Sequence, residues 1–276
     1  MRCLVTGGAG FIGSNLVDKL IDDGHEVIIF YNYSTGKKEN VNPKAKFFLV
    51  DISHQPSFKD KTMEEIMTGV DVVFHLAALA RVQPSIENPI EFHNTNVNGT
   101  LNLLKACVDY NVKRFIFSSS SSVYGEVEKK DLPTSEDSKL NPMSPYALHK
   151  LVGEQYCKLF SELYGLETVC LRYFNVYGER QNTEGAYCLV MGIFAGQLLK
   201  GEPMTINGDV FNIGNGDNKS VNQIADMMGG LRTHTEPVIE PRVTLADNSK
   251  VRRVLSWKPT EDLKKWIQKW VKTLEI

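Results

Sequence analysis

Tyr146 and Lys150, four residues apart, carry the most specific chemistry in the sequence. They lie in Ser144-Pro145-Tyr146-Ala147-Leu148-His149-Lys150, where Ser144 suits a helix cap and Pro145 a first helical turn, so both share one helical face. An ammonium beside a phenol favours the phenolate and draws its pKa down from about 10, giving a usable general base. Upstream, residues 118–122 are all serine and follow an apolar stretch, so a hydroxyl donor can be set beside a carbonyl oxygen. Tyr-x-x-x-Lys alone is a common surface pairing. Its position after a glycine turn, a strand and the serine run is what gives it weight.

The glycine turn is Thr6-Gly7-Gly8-Ala9-Gly10-Phe11-Ile12-Gly13, preceded by an apolar strand and followed by an amphipathic helix. Gly8-x-Gly10-x-x-Gly13 fits the dinucleotide fingerprint: the glycines allow a tight turn and a close approach to a pyrophosphate, and the helix N-terminus faces the phosphates. Gly7, Gly10, Phe11, Ile12 and Gly13 are therefore candidate cofactor contacts. The second strand ends not in the acid that commonly binds the adenosine ribose but in Tyr31, followed by Asn32, Ser34, Thr35 and Gly36. That weakens the simple argument for NAD over NADP, and Lys37 and Lys38 lie within reach of a 2′-phosphate; NAD remains the expectation. Asp51-Ile52 after the third strand is placed to meet the adenine edge, with an exposed helix-capping aspartate as the alternative.

The elements that must position these residues are legible from periodicity. Strands are predicted over 2–6, 26–30, 46–50, 71–76, 114–118 and 167–172, alternating with helical patterns such as Ile12, Leu16, Leu20 and Leu148, Leu151, Val152, Leu159, Leu163. Apolar strands separated by helices imply a parallel sheet covered on both faces. After about Phe174 the rhythm changes to short strands (204–207, 210–213) mixed with helices over 187–199, 221–228, 249–255 and 261–274. The sequence thus predicts an α/β protein, a Rossmann-type doubly wound parallel sheet over 1–174 and a smaller mixed α/β C-terminal substrate lobe over 175–276.

Composition removes several other functions. With 31 Lys+Arg against 33 Asp+Glu over 276 residues, a broad basic face for nucleic acid is not expected. No apolar run reaches a membrane span, and the glycine-rich start does not read as a secretory signal. Cys3, Cys107, Cys157, Cys170 and Cys188 are odd in number and scattered, which fits core thiols in a reducing cytoplasm rather than a metal or disulfide framework.

With these motifs assembled, the sequence closely resembles the extended short-chain dehydrogenase/reductase family, specifically its nucleotide-sugar 4-epimerases. The resemblance spans nearly the whole chain and rests on 6–13, Asp51-Ile52, His75-Leu76-Ala77-Ala78, Asn96-Val97-Asn98-Gly99-Thr100, 118–125, 144–150 and Arg172-Tyr173-Phe174-Asn175-Val176-Tyr177-Gly178. It implies Ser120 as catalytic serine, Tyr146 as base and Lys150 as ribose and phenol partner. It further implies cofactor contacts from Leu76, Ala77, Ala78, Ala80, Thr95, Ser118 and Phe174, which would lie against the nicotinamide. Substrate contacts are implied for Ser85, Ser120, Ser121, Tyr146, Asn175 and Thr244, with Asn175 at the diphosphate. A homodimer is implied, built by packing helices over 95–110 and 146–164.

The resemblance also sorts the reactions. Dehydratases carry Asp-Glu, and sugar-acid decarboxylases a Glu at the second position, just before Val-Tyr-Gly; here these are Ser121 and Ser122. An epimerase needs no acid there. A catalytically silent dinucleotide sensor is disfavoured by the complete Ser120, Tyr146 and Lys150 set. Thr244, small where hexose-only enzymes tend to hold tyrosine, implies room for an acetamido group at C2, unless it merely caps the following helix. Finally, Met-Thr-Ile-Asn-Gly-Asp ending at Asp209 runs into a strand that in the family comes on the order of 40 residues later, a strand-helix unit in length. A shorter omission is expected near Pro241-Arg242.

Overall fold

The computed structural model describes residues 1–54, 61–181, 204–206, 210–213, 217–229, 232–234, 243–255 and 259–274. The first compact unit comprises 1–123 and 142–172. Its strands are β1 (Arg2–Thr6), β2 (Glu26–Tyr31), β3 (Lys46–Leu49), β4 (Val72–His75), β5 (Arg114–Ser120) and β6 (Glu167–Tyr173). Its helices are α1 (Phe11–Asp22), α2 (Lys61–Met67), α3 (Val82–Glu87), α4 (Pro89–His93), α5 (Gly99–Asp109) and α6 (Pro145–Tyr164).

The sheet order is β3-β2-β1-β4-β5-β6, and β1 pairs in parallel with both β2 and β4. The chain reverses its direction of travel across the sheet between β1 and β4, and ligands bind outside the carboxyl ends of the strands at such a switch point. One face packs Leu4, Ile28, Phe30, Val73, Phe115 and Phe117 against Leu103 of α5 and Cys157 and Phe160 of α6. The other packs Cys3, Val5, Val27 and Ile29 against Val17 and Leu20 of α1. Runs such as Val-Ile-Ile-Phe in β2 are buried throughout because both faces are covered.

The expected strands form, with ends differing by one or two residues. The largest extension is at β5, which runs on through Ser119 and Ser120. α6 begins as expected: Ser144 Oγ accepts from Ala147 N–H at 3.2 Å, Pro145 fills the first turn, and Gly165 closes the helix at φ 70°.

The second unit comprises 124–141 and 173–276, so an excursion between β5 and α6 belongs with the C-terminal part. It holds β7 (Met204–Ile206), β8 (Val210–Ile213), β9 (Asp217–Ser220), α7 (Val221–Met228), β10 (Arg232–His234), α8 (Ser249–Leu255) and α9 (Leu263–Thr273). Val221, Ile224, Ala225 and Met228 of α7 pack on Leu263 and Ile267 of α9, and Ser220 with Gln223 forms a capping box. The helix expected over 187–199, and the junctions at Asp209 and Pro241-Arg242, lie outside the described residues.

Candidate active site

The glycine turn closes on itself between β1 and α1. Gly10 N–H donates to the Gly7 carbonyl at 2.9 Å, and Gly7 itself sits at φ 73°, where side chains are strained. A Cβ on Gly13 would collide with the Gly7 carbonyl, so the turn and the α1 N-terminus with Phe11 and Ile12 approach each other as only glycine permits. This backbone cradle, with free helix N–H groups and no side chain in it, fits a dinucleotide pyrophosphate.

The loop after β2 is sealed onto that turn. Tyr31 is 6% exposed and turned inward, its hydroxyl accepting from Thr35 N–H at 3.3 Å, while a Cβ on Gly36 would collide with both that hydroxyl and the Ala9 carbonyl. Lys37 N–H and the Asn40 amide also donate to the Ala9 carbonyl. Tyr31 thus shapes the loop, and the exposed polar group at the strand end is Asn32, whose amide donates to Asp51 at 3.4 Å. Asp51 also accepts from Ser53 N–H and Oγ; these bonds outweigh its partial burial and hold its carboxyl below the usual range. Asn32, Ser34, Asp51, Leu79 and Thr95 line a cavity of about 640 Å³ at the ends of β2 and β3, suited to a nucleoside. Ile52 faces the core instead, against Gly99.

The turn after β4 is fixed from below by buried polar groups. His75 lies between the Thr6 hydroxyl at 2.8 Å and the Thr100 hydroxyl at 2.9 Å, and the Thr6 hydroxyl also accepts from Ala77 N–H. Burial, with Lys150 nearby, pushes the His75 pKa down to about 3, so the ring stays neutral. The buried Asn96 carboxamide accepts from Leu79 N–H and donates to its carbonyl, both at 2.8 Å. Leu76, Ala77, Ala78 and Ala80 therefore sit on a stretch held at both ends.

At the carboxyl end of β5 the chemistry converges. Ser120 lies beside the Tyr146 phenol and draws its pKa down. Lys150 is 5% exposed; its Nζ donates to the Ser118 carbonyl at 2.8 Å and lies 5.8 Å from the Tyr146 ring centre. Burial lowers the Lys150 pKa to about 8. Removal from water also raises the Tyr146 phenol above its ordinary value, against the pull of Ser120 and of the Arg81 guanidinium. The expected lowering toward neutrality is therefore not found in the protein alone: Lys150 is aimed at a carbonyl, and desolvation prevails. Ser85 is fully buried; its hydroxyl donates to the Val82 carbonyl at 2.6 Å and accepts from Tyr146 N–H at 3.1 Å, tying α3 to the start of α6.

Sequence reading did not find Glu154, one turn beyond Lys150 on the same helical face. It accepts from Ser119 Oγ at 2.5 Å and pairs in bidentate fashion with Arg172 at 2.9 and 2.7 Å. Lys150 and Glu154, one turn apart, thus hold Ser118 and Ser119. In the second unit, Phe174 packs on Tyr124 with ring centres 6.3 Å apart. Thr244 precedes a segment pinned to Thr134, whose N–H donates to the Leu245 carbonyl and whose carbonyl accepts from Asp247 N–H. Asp247, not Thr244, receives Ser249 N–H at the start of α8. Asn175 also belongs to this unit. Among the described residues no cluster suited to a metal occurs, and no helix is long and apolar enough to cross a membrane.

Residues 3–219 match the NAD dependent epimerase/dehydratase family, and the chain belongs to that family. A putative UDP-glucose 4-epimerase of Methanocaldococcus jannaschii is 39% identical over 307 aligned positions, covering 98% of each chain. The fold is similar to a crystal structure of the Thermotoga maritima UDP-glucose 4-epimerase with UDP-glucose (35% identity, TM-score 0.92, covering 100% of this chain and 99% of that one). It is also similar to a UDP-N-acetylglucosamine 4-epimerase of Methanobrevibacter ruminantium in complex with UDP-N-acetylmuramic acid (34% identity, TM-score 0.88, covering 98% and 97%).

Proposed function

We propose that this protein is an NAD-dependent nucleotide-sugar 4-epimerase, an isomerase that inverts C4 of UDP-glucose and UDP-galactose and also accepts UDP-N-acetylhexosamines. The observation that carries this reading is the convergence of Ser120, Tyr146 and Lys150 at the end of β5, with serines rather than acids at 121 and 122. Held in the glycine cradle, NAD would supply a hydride acceptor and donor. Tyr146 takes the proton of the 4-hydroxyl as C4 is oxidised, and returns it when the 4-keto sugar, turned over, is reduced on its other face. Ser120 donates to O4, and Lys150 holds the Ser118 carbonyl while its charge favours the phenolate. Elimination or decarboxylation needs an added acid or base, which Ser121 and Ser122 do not supply.

The remaining assignments belong to the same proposal. Asn32 and Asp51 take the adenosine, Phe174 the nicotinamide, and Ser121 and Asn175 the sugar nucleotide, while Ser85, fully buried, acts from behind by holding the start of α6. Alignment of 307 positions against a chain of 276 residues leaves at least 31 positions of the relative without a counterpart, which supports a shortened substrate lobe. Exposed Leu148, Leu159 and Leu163 on one stripe of α6 support a homodimer, with molecular mass in solution as the check. A cytoplasmic location fits the free thiols at Cys3, Cys107, Cys157 and Cys170.

On this reading Thr244 lies beside C2 of the sugar. Purified protein without added cofactor is expected to interconvert UDP-glucose and UDP-galactose and to act on UDP-N-acetylglucosamine, releasing NAD on denaturation. Thr244→Tyr is expected to suppress the acetylated substrate by about tenfold or more and spare the hexoses, since overpacking costs about 1–3 kcal/mol. No turnover of either hexose, or release of NADP alone, contradicts the function; equal effects on both sugars contradict the place of Thr244.

A further inference from the structure

We infer that Asp51, on the loop after β3, sets a preference for NAD over NADP by keeping a phosphate off the adenosine 2′ position. The inference rests on the reading of the cavity at the ends of β2 and β3 as the adenosine site. An acid at the end of β2 commonly meets the ribose 2′-hydroxyl, and an arginine nearby accommodates a 2′-phosphate. Neither stands at this cavity. The strand ends in Tyr31, whose hydroxyl is turned into the loop to accept from Thr35 N–H, and no arginine or lysine lines the cavity among the described residues. Lys37 and Lys38, which the sequence places within reach of such a phosphate, are not in its wall; the Lys37 ammonium is exposed and lies 4.0 Å from Glu39.

The carboxylate that a ligand meets there is that of Asp51. The Asn32 amide donates to one of its oxygens at 3.4 Å, and Ser53 donates to the other through its N–H at 2.9 Å and its hydroxyl at 2.7 Å. Asn32 is itself oriented by Ser34 N–H, which donates to its side-chain oxygen at 3.1 Å. All of these partners of Asp51 are donors, which favours the ionised carboxyl. His54, the one basic side chain in the wall among the described residues, lies 3.7 Å from the same carboxylate and hydrogen-bonds the Ser53 hydroxyl. Glu87 and Glu91 line the cavity as well. A ribose hydroxyl is neutral and has a proton to donate to a carboxylate. A 2′-phosphate brings roughly two negative charges and acceptor oxygens instead. NAD and NADP differ only at that point, so the charge of Asp51 separates them.

The test is the dinucleotide that each protein carries. Wild type, Asp51→Asn, Asp51→Ser and the double variant Lys37→Ala with Lys38→Ala are purified from cells that contain both dinucleotides and denatured, and the released NAD and NADP are separated and quantified. Wild type is expected to carry NAD almost alone. Loss of the charge in Asp51→Asn, and again in the smaller Asp51→Ser, is expected to raise the ratio of NADP to NAD by about tenfold or more. The lysine variant is expected to keep the wild-type ratio. An unchanged ratio in both Asp51 variants, or loss of both dinucleotides together, overturns the role of Asp51. A changed ratio in the lysine variant overturns it too, moving the determinant to the loop after β2. Wild type carrying neither dinucleotide overturns the adenosine reading of the cavity itself.

Discussion

Replacing Tyr146 with phenylalanine is expected to lower kcat by about 10²–10⁴-fold while leaving substrate binding and fold in place. The substitution removes one oxygen and leaves the ring in its place above Lys150. The loss is therefore chemical rather than structural. Steady-state kinetics with UDP-galactose, with thermal unfolding as the control, checks it; turnover within a few-fold of wild type contradicts the mechanism.

Glu154→Ala is expected to destabilise the first unit by about 3 kcal/mol, through the loss of a bidentate, largely buried ion pair. The Glu154 and Arg172 side chains are 8% and 18% exposed, and Ser119 loses its acceptor in the same step. Replacing Glu154 and Arg172 together by leucine and methionine is expected to cost less than the single change, because no unpaired charge remains. Chemical denaturation of the three proteins decides it. A single change costing under about 1 kcal/mol would show that water reaches Arg172 freely. The pair also ties β6 to α6 and, through Ser119, to the strand end that carries Ser120, so stability and catalytic geometry share one anchor.

The sequence reading went furthest where information is local. Ser144, Pro145 and the spacing of Tyr146 and Lys150 specify a helix start and a face with no help from distant residues, and the glycine turn specifies its own backbone. The sheet followed from apolar runs too continuous for a one-sided strand. What was illegible is long-range. Nothing near Glu154 in sequence announces Arg172 on β6 or Ser119 on β5, and the bridging of Thr6 and Thr100 by His75 joins three separate elements. Tyr31 misled for the same reason: at a strand end it reads as a replaced ribose ligand, whereas its burial depends on the returning loop at Thr35 and Gly36. Short polar strands such as β9 and β10 carry no periodic signal at all. The direction of the Tyr146 shift also escaped, because residue spacing shows the nearby ammonium but not the removal of water.

The central claim is that C4 is inverted by oxidation and re-reduction without loss of its hydrogen, with Tyr146 exchanging only the hydroxyl proton. Epimerisation of UDP-galactose in D₂O, followed by NMR of the sugar C4 position, tests it most directly. The account predicts UDP-glucose that retains its original hydrogen on C4 with no deuterium incorporated. Deuterium at C4 would mean that a proton from solvent replaces that hydrogen, and would contradict the mechanism assigned to Ser120, Tyr146 and Lys150.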